Sequence, residues 1–236
     1  MTPTLLDRRR LLPLTILATG AVFAGLFTFS SVTRADAVQH SGHHSMSASE
    51  AAATQATISK RSFHDKMRKL WEQHVAWTRM AIVDFASGSD GFDPTAGRLM
   101  QNQVDIGDAI KPFFGTDAGN QLTSLLHDHI AIAVEVLQAA KAGDAAAFND
   151  ARDRWYANAN DIADFLSAAN HRYWPRDMMR HMMKVHLDQT LTEASDQLNG
   201  DFAGSVAVYD KIERHMLAMA DDLSYGIIHR FPSRFR

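Results

Sequence analysis

Apolar and polar positions follow the period of an α-helix over most of the chain. Leu70, His74, Thr78 and Ile82 fall four residues apart, as do Leu125, His129, Ala133 and Leu137, and again Met182, His186, Thr190 and Ala194. Residues at spacings of four and eight share one stripe of a helix. Each set therefore predicts a helix whose histidine faces inward. These helices run into Ser87-Gly88-Ser89-Asp90-Gly91, Gly143-Asp144 and Asn199-Gly200-Asp201. There glycine permits a left-handed cap and aspartate can begin the next helix. No stretch alternates with the period of a strand, and Pro232 stops the last helix near Arg230.

The pattern recurs within the chain. A shift of 57 residues lays Leu125 to His129 on Met182 to His186 without a gap, and carries Gly143-Asp144 onto Gly200-Asp201 and Asp164 onto Asp221. The stretch from Leu70 to His74 joins the same alignment with small shifts. Asn102, Asn158 and His215 then fall at one equivalent position in the second helix of each copy. The fold class this predicts is all-α: a helical bundle of three repeated helix-turn-helix units, about six main helices, closed with pseudo-threefold symmetry or stacked as a short solenoid. Closure would bring His74, His129 and His186 toward one axis, whereas stacking would leave them as a ladder.

Before the helices the chain has the form of an address. Arg8, Arg9 and Arg10 precede an apolar run from Leu11 to Phe29, followed by Ala35-Asp36-Ala37. That is the positive, apolar and cleavable order of a secretory signal. The expected organisation is a signal peptide over 1–37, a flexible lead-in over 38–59 and a helical repeat domain over 60–236. It implies a periplasmic or secreted protein. The alternative is an N-terminal membrane anchor facing the periplasm, since the apolar run approaches the ~20 residues of a span. His40, His43 and His44 in the lead-in could capture a metal loosely, or simply belong to a solvated tail.

Composition narrows the chemistry. Cysteine is absent from all 236 residues, which excludes disulfides, thiolate metal sites and cysteine nucleophiles. The net charge of −3 speaks against nucleic acid as a partner. Nucleophile elbows, phosphate-cradling loops, His-Glu-x-x-His zinc helices and paired Glu-x-x-His elements are all missing. An enzymatic role therefore has no motif behind it. Carboxylate pairs such as Asp221-Asp222 or Asp161 with Asp164 are more commonly capping or solvated on helices.

Two readings of the inward histidines follow. In the first, His74, His129 and His186, with His215 as a fourth, hold copper or zinc, both of which accept imidazole. Asn102, Asn158 and Asp128 would then orient the rings. Methionines at 178, 179, 182, 183, 216 and 219 would suit Cu(I), although methionine at helical spacing is ordinarily core. In the second, the histidines are structural, copied with the unit, and the domain is a scaffold that binds a small ligand or a partner in grooves lined by Trp71, Trp77, Trp155, Tyr156, Tyr173 and Trp174. A membrane is a partner only if the N-terminal segment stays uncleaved.

The segments from Leu70 to Arg79, Arg154 to Ile162 and Gly226 to Pro232 resemble a family of uncharacterised exported bacterial helical-repeat proteins, sometimes carried under glycosyltransferase or acetylglutamate kinase names. The likeness runs from about Lys69 to Pro232. It implies a helical-repeat fold and carries over His74, His129 and His186, while His215 falls where relatives can have a residue unsuited to ligation. Nothing in these residues supports either of the two enzymatic names.

Overall fold

A computed structural model describes residues 57–236. Among these residues lie six long helices: α1 (Lys60–Ser87), α2 (Phe92–Phe114), α3 (Thr116–Ala142), α4 (Ala145–Asn170), α5 (Arg176–Asn199) and α6 (Phe202–Arg230). A 3₁₀ turn follows at Pro232–Arg234. No helix among the described residues is long and apolar enough to cross a membrane. The signal, the lead-in up to residue 56 and the histidines at 40, 43 and 44 lie outside the described residues.

Local chemistry sets the helix ends. Gly88, Gly143 and Gly200 adopt φ of 69°, 69° and 79°, the left-handed region that side chains avoid. In each case the following N–H reaches back to a carbonyl five residues earlier: Ser89 to Asp84, Asp144 to Ala139 and Asp201 to Asp196, at 2.9, 3.0 and 2.9 Å. This closes α1, α3 and α5 in the same way. The carboxylates of Asp144 and Asp201 then accept from the first-turn N–H groups of α4 and α6. Pro112 does not end α2, which continues to Phe114 because a proline in the last turn forfeits only one backbone bond.

Each helix packs on its neighbours in the chain, and α1 packs on α6, so the six form a closed ring. Backbone bonds tie the two ends together, from Ile58 N–H to the Arg234 carbonyl at 2.9 Å and from Arg236 N–H to the Ile58 carbonyl at 3.0 Å. Ile58, which the sequence assigns to the lead-in, thus pairs with Phe235. Helices α1, α3 and α5 also touch one another inside the ring. Trp71, Trp155, Trp174, Met67, Met179, Met183, Met216 and Met219 fill the core around them. The clustered methionines are packing residues, and the three tryptophans are buried among them instead of lining an exposed groove.

Candidate functional site

Closure of the ring brings three of the four predicted site residues together. His74, His129 and His186 project from α1, α3 and α5 and are only 2%, 2% and 4% exposed. The His186 ring centroid lies 5.8 Å from that of His74 and 6.3 Å from that of His129. His215 is not part of this tier. Its Nε2 donates to the Met182 carbonyl at 2.9 Å, on the α5–α6 contact.

Amide partners set the tautomers of His129 and His74. The Asn158 amide donates through Nδ2 to the Leu125 carbonyl at 3.1 Å, which turns its Oδ1 toward His129 Nδ1 at 2.8 Å. His129 therefore carries its proton on Nδ1 and a lone pair on Nε2. His74 is the reverse. Gln103 Nε2 donates to the Leu99 carbonyl at 2.8 Å and also to His74 Nδ1 at 3.2 Å, leaving the proton on the other nitrogen of His74. At His186 the Thr190 hydroxyl gives its proton to the His186 carbonyl at 2.9 Å and stands 3.4 Å from Nδ1. Burial pushes all three imidazoles toward the neutral form: His74 and His129 fall to about 4 and His186 falls well below 6.5. Repulsion among the rings adds to the effect at His74 and His186.

This arrangement overturns the copper or zinc reading. Among the described residues no group of three or more His, Asp or Glu side chains is placed to hold a metal ion. A tetrahedral zinc needs each donor nitrogen about 2.0–2.1 Å from one point. Here His129 and His186 lie face to face at 30°, and ring nitrogens are engaged by Gln103 and Asn158 on neighbouring helices. The expected metal partner, the metal-binding role and the four-histidine ligand set are all corrected on this geometry. Asn158 does orient a ring, as the spacing suggested. Asn102 instead donates to the Leu70 carbonyl at 3.0 Å, and Asp128 is exposed.

Beside the histidine tier the bundle axis is open. One turn along, about 6 Å away, the inner helices present Thr78, Ala133 and Thr190; a further turn along they present Ile82, Leu137 and Ala194. The middle tier is too small to fill the centre. A cavity of about 50 Å³ remains, lined by all nine residues and by Trp155 among others. Phe92, Ala96, Val134 and Leu191 are only partly buried and carry the lining toward solvent. The walls are apolar apart from the imidazoles and the two threonines. Both threonine hydroxyls already donate to backbone, Thr78 to the His74 carbonyl at 2.8 Å and Thr190 as above. His129 Nε2 is buried and has no partner.

Sequence reasoning missed two features here. Gln103, which sets the His74 tautomer, carries no signal beyond its place beside Asn102. The second is a buried ion pair at the edge of the bundle, Arg79 to Glu193 at 2.5 Å, with Glu193 only 2% exposed and Arg79 also reaching the Ser205 hydroxyl at 3.1 Å. Glu193 lies seven residues after His186, a spacing that returns it to the same face of α5. Two of the four carboxylates weighed for acid–base work are engaged in ion pairs: Asp164 is clamped by Arg176 and Arg180, which hold it well below the usual carboxylate range, and Asp221 takes Arg68 and His64. Compared with known proteins, the chain matches no family model, no curated protein and no solved structure.

Proposed function

We propose that the chain is an exported helical scaffold, three helix-turn-helix units arranged with pseudo-threefold symmetry, that binds a small uncharged and largely apolar molecule in its axial cavity. The histidines shape that cavity and do not carry a metal. The observation behind this reading is the cavity itself. Protein interiors pack to the density of organic crystals and leave few voids larger than a water. About 50 Å³ beside three buried imidazoles is such a void, with room for a few water-sized groups.

The three-unit arrangement draws support from hydrogen bonds made three times over. Asn102, Asn158 and His215 each donate to the carbonyl four residues before the inward histidine, at Leu70, Leu125 and Met182. The glycine caps at 88, 143 and 200 repeat likewise. Export rests on the order of the first 37 residues. Membership of the helical-repeat family that the chain resembles belongs to the same reading.

Toluene is a suitable first probe. Titrated into the full-length protein, it is expected to change Trp155 fluorescence in a saturable way and to raise the melting temperature, since a ligand that binds only the folded state stabilises it. Ala133→Leu, which fills the middle tier, is expected to abolish both effects while the helical circular dichroism is retained. Absence of saturable binding, or binding unchanged in Ala133→Leu, would refute the proposal.

A further inference from the structure

We propose that one end of the bundle docks on a membrane surface rich in anionic lipid headgroups. This surface is separate from the axial cavity and does not depend on it. Short turns make neighbouring helices run antiparallel, so the starts of α1, α3 and α5 and the ends of α2, α4 and α6 share one end. Within about two turns of that end, residues 57–66, 108–122, 164–182 and 224–236 hold ten Lys or Arg against five Asp or Glu. The other end, residues 81–98, 136–151 and 193–208, holds two against eight. Helix dipoles do not explain this split. Each end gathers three helix N-termini and three C-termini, and Lys60, Arg61 and Arg176 stand in first turns, where the dipole disfavours a cation. A charge asymmetry that the helices do not need points to a partner outside the chain.

The side chains at the basic end are of the kind that sits at a lipid interface. Arg61, Lys111, Arg176 and Arg180 are paired with carboxylates. Among the described residues, Arg172, Arg230 and Arg234 are not, and lie instead over aromatic rings, 5.4 Å from Tyr173, 5.5 Å from Phe231 and 5.8 Å from Phe113. Beside them Tyr225 is 55% exposed and stacks on His229 at 3.8 Å, with Tyr173 6.1 Å away. Tyrosine and arginine each carry an apolar body and a polar tip, which suits the boundary between headgroups and acyl chains. The chain that leads from the apolar run at residues 11–29 also joins the bundle at this end, where Ile58 pairs with Phe235. An acidic protein would meet the charge equally well; the tyrosines and the point of chain entry favour the bilayer.

The test is sedimentation of the chain, as processed by the exporting cell, with vesicles of phosphatidylcholine alone or with about 30% phosphatidylglycerol. Each basic side chain near an anionic surface contributes about fivefold in affinity. Phosphatidylglycerol is therefore expected to tighten binding by on the order of a hundredfold, and high salt to reverse the gain. The triple variant Arg172→Gln, Arg230→Gln, Arg234→Gln should lose most of it. Arg152→Gln, Lys211→Gln, Arg214→Gln removes the same charge from the rest of the bundle and should keep most of it. In the unaltered protein, nitroxide-labelled lipid should broaden the ring resonances of Tyr173 and Tyr225 and spare Phe202, which is exposed at the other end. Equal binding to the two vesicles, equal losses in the two triple variants, or broadening of Phe202 ahead of the tyrosines would overturn the inference. Soluble polyglutamate that binds more tightly than the vesicles would also overturn it and make the end a dock for an acidic protein. None of these outcomes bears on toluene in the cavity.

Discussion

Lowering the pH from 7 to 5 tests the neutral imidazole tier directly. An unfolded histidine titrates near 6.5, whereas His74 and His129 titrate near 4 in the folded chain, chiefly because burial disfavours the charged form. Between those values the unfolded state binds more protons than the folded one. Stability is therefore full above pH 6.5, declines as pH falls through that value and levels off below about 4, where the folded state also takes up the protons. At pH 5 each of these two residues costs about 2 kcal/mol relative to pH 7, so the pair removes about 4 kcal/mol. His186 acts in the same direction. Glu193 opposes them, because burial pushes its carboxyl up and lets the folded state hold a proton more readily. With a urea dependence of about 2 kcal/mol per molar, the unfolding midpoint is expected to fall by roughly 2 M. Urea titrations followed by far-ultraviolet circular dichroism at pH 7, 6 and 5 measure it, with imidazole ¹⁵N shifts recorded on the folded protein at pH 5. A midpoint that stays within about 0.5 M, or a folded protein whose His74 and His129 are already protonated at pH 5, would refute the reasoning.

Three substitutions probe the packing that builds the site. Gly107→Ala would place a methyl group 2.6 Å from the Gly119 carbonyl oxygen and against Thr123 where α2 meets α3; backbone cannot yield there, so a loss of about 1–3 kcal/mol is expected in chemical denaturation. Asn158→Leu removes the partners of His129 Nδ1 and of the Leu125 carbonyl together; it should cost about 2 kcal/mol and free the His129 ring to exchange tautomers, visible in its ¹⁵N shifts. Arg79→Met leaves Glu193 buried without its cation; a loss of about 3–5 kcal/mol at pH 7 is expected, and the double variant Arg79→Met, Glu193→Gln should recover part of it. Equal stability of single and double variants would show that the pair is not coupled.

The way these groups are held explains which parts of the site could be read from the sequence. Helical spacing placed His74, His129 and His186 on inward faces, and the glycine-aspartate turns marked where α1, α3 and α5 stop, because both depend on neighbours within about eight residues. The cavity was also written there in principle. Thr78, Ala133 and Thr190 are small residues at equivalent positions, and an axis where all three converge is left unfilled. Ring orientation was out of reach, since it depends on which amide from another helix meets each imidazole. His129 meets Asn158 from α4, His74 meets Gln103 from α2, and His186 meets a threonine on its own helix. The three inward histidines thus have three different hydrogen-bonding states. Metal coordination would require the rings to aim together, and their matching spacing along the sequence suggests it; the helices around them make them inequivalent. That same inequivalence defeats the metal site, since among the described residues no group of three or more His, Asp or Glu side chains is placed to hold an ion.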